Sequence, residues 1–200
     1  MNDIYEHVDK VNDYLARHYA REFNKYRNIG KFDAINVIKK SKILYEWLYK
    51  ITKETYFTMA RAIYMDYTDE DLLEAWLTGV LDEYEPVTKY QFSSEWERKR
   101  ARFAESMIAS TDKKLDMQLA LRLLTQQGTQ GAITVADAAQ REAYRHNGVV
   151  RVRWDSESDM RVCHECHSRH GTVYDLDKVP PKPHYNCRCH LVAVMEGKVK

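Results

Sequence analysis

The sequence has 200 residues, of which 44% are hydrophobic and 30% are charged, and its formal net charge is +1. This balance excludes a wholly disordered chain, and it excludes a polycation that would hold nucleic acid through bulk charge alone. No apolar run approaches the roughly 20 residues that a membrane span needs, and the N-terminus lacks the basic-then-apolar order of a signal peptide. The sequence therefore predicts a protein without a membrane span, made in the cytoplasm, where thiols stay reduced.

Two long helices are predicted at the start of the chain. Apolar residues recur at helical spacing from Ile4 to Tyr26, and Asn28 and Gly30 are expected to end this first helix. The same spacing predicts a second helix from about Asp33 to Tyr67. We expect that helix to break within residues 52–58, where threonine and aromatic residues gather.

Two capping boxes predict the next helices. In a capping box, a side-chain oxygen at the start of a helix accepts a hydrogen bond from a free N–H of the first turn. Thr68 with Asp71 fits this pattern and predicts a helix that ends before Pro86. Ser94 with Glu97 fits it better and predicts a helix as far as about residue 110.

The last part of the helical region is predicted as two helices joined by a loop. Thr111 is expected to cap a leucine-bearing helix. The stretch QQGTQGAIT contains two glycines and is expected to form the loop. Thr134 with Asp137 then predicts a final helix to about His146.

The pattern changes from helical to alternating at Asn147–Gly148, a turn signal. In the VVRVRW that follows, the second and third valines and Trp154 share one face while the arginines share the other, which predicts a strand. The apolar run 191–195 predicts another strand. The fold class is therefore α+β and predominantly α, with a multi-helix body over residues 1–146 and a small β-containing module over residues 147–200.

All four cysteines lie in one stretch of this module, RVCHECHSRHGTVYDLDKVPPKPHYNCRCHL. Cys163 and Cys166 form C-x-x-C, Cys187 and Cys189 form C-x-C, and His184 lies three residues before Cys187. A C-x-x-C turn points backbone amides at both sulfurs and suits tetrahedral zinc, and the separation of the two pairs is close to that of small zinc modules. The sequence predicts a structural zinc site with Cys163, Cys166 and Cys187 as leading ligands and His184 or Cys189 as the fourth.

Other interpretations of the cluster are less favoured. Disulfides would need an oxidising compartment, and a redox C-x-x-C would need a βαβ context that the pattern lacks. Catalytic zinc is also disfavoured, because the deaminase motif order is reversed and Ser168 stands where H-E-x-x-H requires histidine. His164, His167 and His170 are expected to be loop residues that face solvent. A structural zinc ion also explains how about fifty residues with few strands can fold. Metal binding contributes on the order of 10 kcal/mol to the free energy of folding in small zinc modules.

The whole motif resembles a known C-terminal signature. Trp154 is followed by an Asp-x-Arg-x-Cys-x-x-Cys turn, a glycine, and a proline-rich approach to His-x-Asn-Cys-Arg-Cys. This order, over roughly residues 134–195, resembles the phage Mu F-like family of minor head proteins, also called head morphogenesis proteins. The resemblance implies five metal ligands, Cys163, Cys166, His184, Cys187 and Cys189, and three supporting motif residues, Asp159, Arg161 and Arg188.

The resemblance also implies a function. It points to a non-enzymatic virion component of a tailed double-stranded DNA phage, placed in the head interior or at the portal vertex. The implied partner is the phage portal protein, with the major capsid or scaffolding protein as further partners and weak, non-specific double-stranded DNA binding as an added property. Asp159 and Arg161 are expected either to form an ion pair that orients the C-x-x-C turn or to remain two solvated charges.

Two alternative functions stay open from the sequence. The first is a zinc module that binds nucleic acid, although the mild excess of basic residues after Arg141 would give only weak, salt-sensitive affinity. The second, less favoured, is a zinc-dependent hydrolase or nuclease. A thiolate-rich ligand set leaves little Lewis acidity, and no residue is placed as a general base.

Overall fold

The computed structural model describes residues 4–83, 92–156 and 162–194 of the chain. It shows a mostly helical protein with a small sheet near its C-terminus, which confirms the predicted α+β, predominantly α class. The helices are α1 (Ile4–Lys25), α2 (Ala34–Met65), α3 (Glu74–Glu83), α4 (Phe92–Ala109), α5 (Lys113–His146) and α6 (His164–Arg169). The strands are β1 (Arg151–Asp155), β2 (Val173–Asp175) and β3 (His190–Ala193).

The main core lies between α1, α2, α4 and α5, and α5 packs against the other three. The predicted first helix is confirmed to within one residue, and its apolar stripe is buried from Ile4 to Phe23. A short 3₁₀ turn at Ile29–Lys31 follows it. Helix α2 begins after Asp33, whose carboxylate accepts a hydrogen bond from the N–H of Asn36, as an N-cap residue does.

Helix α2 runs without the break that the sequence predicted within residues 52–58, so that prediction is wrong. The hydroxyls of Thr52, Thr55 and Thr58 each donate to the carbonyl four residues earlier in the helix. A carbonyl oxygen has two lone pairs, so it can accept the threonine hydroxyl as well as the helix N–H, and threonines satisfied in this way are tolerated inside a helix.

The capping box predicted at Thr68 and Asp71 is also wrong, because α3 begins only at Glu74. The Thr68 hydroxyl donates to the carbonyl of Tyr64, so it closes the end of α2 instead of opening a new helix. The Asp71 carboxylate pairs with Arg61 of α2. Both side chains therefore serve the preceding helix.

The second predicted capping box lies inside a helix. Helix α4 begins at Phe92, two residues before Ser94, so Ser94 is not its cap. Glu97 pairs with Arg100 one turn further along. The predicted helix end before Pro86 lies outside the described residues.

Helix α5 begins one residue later than predicted and is capped by a different side chain. The N-cap is Asp112, whose carboxylate accepts from the N–H of Leu115, and not Thr111. From there the helix continues over 34 residues to His146. The predicted loop at QQGTQGAIT and the predicted cap at Thr134 are both wrong, since Thr134 is buried in mid-helix.

The two glycines of that stretch serve close packing of helices. A Cβ at Gly128 would lie 3.2 Å from the Tyr19 hydroxyl, and a Cβ at Gly131 would lie 2.8 Å from Cε2 of Tyr56. The Tyr56 hydroxyl donates to the carbonyl of Gly128. The missing side chains let two buried tyrosines approach the α5 backbone, and packing outweighs the low helix propensity of glycine.

Replacing Gly131 with alanine is expected to lower the free energy of unfolding by about 1–3 kcal/mol, because the added methyl group overpacks against Tyr56. Gly79→Ala is the matched control, since a Cβ at this α3 position would have no heavy atom of the described residues within 4 Å beyond its chain neighbours and its own helix backbone. The free energy of unfolding of that variant is expected to rise by about 0.5–1 kcal/mol, because alanine has a higher helix propensity than glycine. Denaturant unfolding measures the free energy of both variants. Equal changes of the same sign in the two variants would refute the close packing at Gly131.

The three strands form an antiparallel sheet in the order β2-β1-β3. The first predicted strand is confirmed with its bounds shifted toward the C-terminus, so Val150 precedes it and is exposed while Val152 and Trp154 are buried. The last predicted strand is confirmed as β3, although Met195 lies outside the described residues. The sequence analysis did not place β2 or α6.

A second, smaller core lies under this sheet, around the fully buried Trp154. Tyr144 of α5 belongs to it, and its hydroxyl donates to the carbonyl of Leu191 in β3 over 3.1 Å. The sheet therefore packs on the C-terminal end of α5. Within the described ranges, no helix is long and apolar enough to cross a bilayer.

Candidate metal centre

The first half of the cysteine cluster is built at the start of α6. Cys163 is the N-cap of this helix, and its sulfur accepts a hydrogen bond from the N–H of Cys166 at 3.3 Å. This is the turn that the C-x-x-C spacing predicted. The hydrogen bond from that N–H is the main reason why the pKa of the Cys163 thiol is lowered.

The second half lies in the segment that leads into β3. Asn186 takes a left-handed backbone conformation with φ of 55°, and its N–H donates to the side-chain oxygen of Gln130 in α5 over 2.7 Å. Cys187 and Cys189 follow and are both buried. They precede the first residue of β3, and both sulfurs approach Cys166.

The structure brings all five predicted ligands together in two overlapping groups. One group is Cys163, Cys166 and His184, and the other is Cys166, Cys187 and Cys189; within each group the candidate ligand atoms lie within 4.8 Å of one another. Cys166 is common to both. Its sulfur is 3.2 Å from Nε2 of His184 and 3.5 Å from the sulfur of Cys187.

The hydrogen bonds of His184 leave one ring nitrogen for a metal. Its Nδ1 lies 2.8 Å from the carbonyl oxygen of Tyr185, and a carbonyl only accepts, so Nδ1 carries a proton. In a neutral imidazole, Nε2 then carries the lone pair, and Nε2 is the atom that faces Cys166. Backbone fixation of one ring nitrogen is the usual way in which a metal-binding histidine is oriented.

The four thiols differ in how readily they lose a proton. The pKa of Cys187 is lowered, chiefly because the Cys189 thiol donates a hydrogen bond to its sulfur, and the pKa of Cys189 is raised by the same hydrogen bond. Burial is the main cause that raises the pKa of Cys166. All four cysteines are free thiols. Thiolates and one imidazole at these separations are the donor set of tetrahedral zinc sites, so the cluster fits a metal.

The remaining motif residues are less closely involved. Asp159 and Arg161 lie outside the described residues, and Arg188 is half-buried between the two cysteines. His164, His167 and His170 are exposed, as predicted, but the predicted loop is wrong for His164 and His167, which lie on α6, and His170 is the C-cap of that helix. His170 has a partner away from the cluster, since its Nδ1 lies 3.2 Å from the Asp155 carboxylate.

The sequence analysis missed the residues that hold the backbone of the cysteine segment. These are Gln130 on α5, Tyr5 on α1 and Lys182 in the proline-rich stretch. Tyr5 belongs to a helical pattern that predicts only core packing, and Gln130 lies in the glycine-containing stretch that was predicted to be a loop. Lys182 is a single lysine among three prolines, and this pattern does not predict a buried side chain.

The comparisons with known proteins agree with the motif. The family model described as Phage Mu protein F like protein matches residues 97–192, just under half of the chain. Neither a curated protein nor a solved structure matches the sequence. The matched span contains all five candidate ligands, most of α4, all of α5, β1 and β2, and all but the last residue of β3. The resemblance stated from the sequence is thereby confirmed for this part of the chain: residues 97–192 are similar to the phage Mu F-like family.

Proposed function

We propose that the protein is a minor capsid protein that acts in head morphogenesis of a tailed double-stranded DNA phage, without catalytic activity, in association with the portal. The observation that carries this proposal is the family match over residues 97–192, because the phage Mu F-like family is one of structural, head-morphogenesis proteins. The match includes both the long helix α5 and the cysteine module. The proposed place of action is the virion head or the portal vertex.

The cysteine module has a structural part in this proposal. Its metal is one zinc ion, held by Cys163, Cys166, Cys187 and His184. The fixed tautomer of His184 supports it as the fourth ligand, and Cys189 then remains a hydrogen-bond donor to the Cys187 sulfur. Bound zinc would join the start of α6 to the segment before β3 and so close a small core that has only three short strands.

The surface of the helical body supports a role in assembly. Large apolar side chains are exposed on it, among them Ile35 at 79% and Leu115 at 59% of their possible area. Neighbouring positions on α2 and α5 add Ile38, Trp47, Leu119 and Leu123, each more than 40% exposed. Ile35 with Ile38, and Leu115 with Leu119 and Leu123, recur at the three- or four-residue spacing that places side chains on one face of a helix, and an exposed apolar helix face favours a protein–protein contact.

A second candidate property is contact with packaged DNA. A groove between the end of α1 and the start of α5 supports it, because Arg27, Lys113 and Lys114 line this groove together with uncharged residues only. Three cations would give weak, salt-sensitive and sequence-independent binding to phosphates. This property is compatible with a head protein and would be secondary to the portal contact.

Co-expression with the portal protein of the same phage tests the proposal. The protein is expected to co-sediment with the portal ring, and to do so after nuclease treatment and in raised salt, because the proposed contact is apolar. If the association disappears after nuclease treatment, DNA and not a direct portal contact holds the protein to the ring. A folded, monodisperse protein that stays away from both portal rings and procapsids would refute the proposed function.

A further inference from the structure

Tyr5, in the first turn of α1, reaches the backbone of the cysteine segment. Its hydroxyl lies 2.8 Å from the carbonyl oxygen of Cys189 and 3.1 Å from that of Cys187. These are the carbonyls of two candidate ligand residues, more than 180 positions away in the sequence. The side chain is 7% exposed, so the hydrogen bonds are shielded from water.

Lys182 approaches the same place from the proline-rich stretch. Its ammonium donates to the Tyr5 hydroxyl over 2.6 Å, to the carbonyl of Cys187 over 3.2 Å and to the Asp137 carboxylate over 2.8 Å. An ammonium group has three N–H donors, and each of the three has an acceptor. Since Lys182 donates to the Tyr5 oxygen, the Tyr5 proton is available for one of the two carbonyls.

The lysine and its carboxylate are both removed from water. The Lys182 and Asp137 side chains are each 7% exposed. Burying an ion pair is costly, and such pairs persist where geometry and further hydrogen bonds offset the desolvation. Here Asp137 lies on the 34-residue helix α5, so it fixes the ammonium at a defined position within reach of the Cys187 carbonyl.

We propose that Tyr5, Lys182 and Asp137 are positioning residues of the metal centre, which hold the Cys187–Cys189 segment from the helical body and link metal binding to α1. This inference rests on the zinc site proposed above. Groups that hydrogen-bond to metal ligands orient those ligands, and their mutation typically weakens metal binding 10–100-fold. Here the hydrogen bonds fix the backbone that carries two of the candidate ligands. Tyr5 lies outside the matched residues 97–192, so α1 contributes an element that the family match does not contain.

The link works in both directions. If the Tyr5 contact favours zinc binding, bound zinc favours the docked state of the first turn of α1 to the same degree. Removing zinc is therefore expected to loosen α1 near Tyr5 even though the cysteines lie at the other end of the chain. A purely local zinc site would leave α1 unchanged.

Zinc release from the full-length protein tests the inference. Tyr5→Phe removes only the hydroxyl and is expected to release zinc to a chromogenic chelator about 10-fold faster than the unchanged protein. Tyr56→Phe is the matched control, because it removes another buried tyrosine hydroxyl that donates to a backbone carbonyl, but in the main core. The control is expected to lower the melting temperature and leave the release rate unchanged.

The outcomes separate this inference from the proposed site. An unchanged protein that holds no zinc contradicts the site itself. A protein that holds zinc, with equal release rates for Tyr5→Phe and the unchanged chain, overturns only the positioning role. Hydrogen exchange gives the second readout: chelation is expected to raise exchange in the first turns of α1, and protection there that is the same with and without zinc would also overturn the link.

Discussion

Cys166→Ser is expected to abolish stoichiometric zinc binding and to unfold the module that contains the sheet. Cys166 is the only ligand candidate shared by both groups of the cluster, and its side chain is 2% exposed in the centre of the second core. A serine hydroxyl is a poor zinc ligand, and binding free energy in small zinc modules is largely folding free energy, on the order of 10 kcal/mol. Amide protection in β1 and β3 is expected to fall to that of an unfolded segment.

Cys189→Ser is the matched control for this variant. If His184 is the fourth ligand, Cys189 is needed only as a hydrogen-bond donor to Cys187, and a serine hydroxyl can replace it in that role. The control is expected to retain one zinc ion and the protected strands. Metal analysis and hydrogen exchange on both variants decide the question, and loss of zinc from Cys189→Ser as well would mean that Cys189 and not His184 completes the site.

The second large effect is expected from Lys182→Met. Methionine keeps the apolar stem of the lysine but leaves the Asp137 carboxylate buried without its ammonium partner. Removing one member of a buried ion pair typically costs about 3–5 kcal/mol, since the remaining charge is desolvated and uncompensated. Equilibrium unfolding of the zinc-loaded protein measures this loss.

A double variant shows where that loss comes from. Lys182→Met with Asp137→Leu replaces both charges with apolar groups and is expected to recover most of the stability, because such replacements are often neutral. Zinc release from the double variant is expected to be faster than from the unchanged protein. The Lys182 ammonium that donates to Tyr5 and to the Cys187 carbonyl is missing from both variants. A single variant as stable as the unchanged protein would contradict the buried ion pair.

The long helices could be predicted from spacing, because the buried stripe of α1 from Ile4 to Phe23 recurs at helical period. The positions at which helices end or continue could not be predicted in the same way. Gly128 and Gly131 look like loop residues until Tyr19 and Tyr56 are placed against them, and that contact joins positions more than 70 residues apart. Local glycine signals gave the wrong result because long-range packing decided the local structure.

The candidate site shows the same division. The spacing of Cys163, Cys166, His184 and the last cysteine pair predicted the cluster, because metal ligands leave a local signature in sequence. The residues that support the cluster leave no local signature in the sequence, because Tyr5 meets the cysteine segment only when α1 is packed beside α5. The proposal of His184 as the fourth ligand rests likewise on its hydrogen bond to the Tyr185 carbonyl, which spacing does not reveal.

The metal content of the protein, purified under reducing conditions and without added zinc, tests the central claim most directly. Elemental analysis is expected to give one zinc ion per chain. A count of reactive thiols is expected to reach four only after the metal is chelated. A fully folded protein that contains no metal, takes up none, and keeps its melting profile in the presence of a chelator would contradict the account.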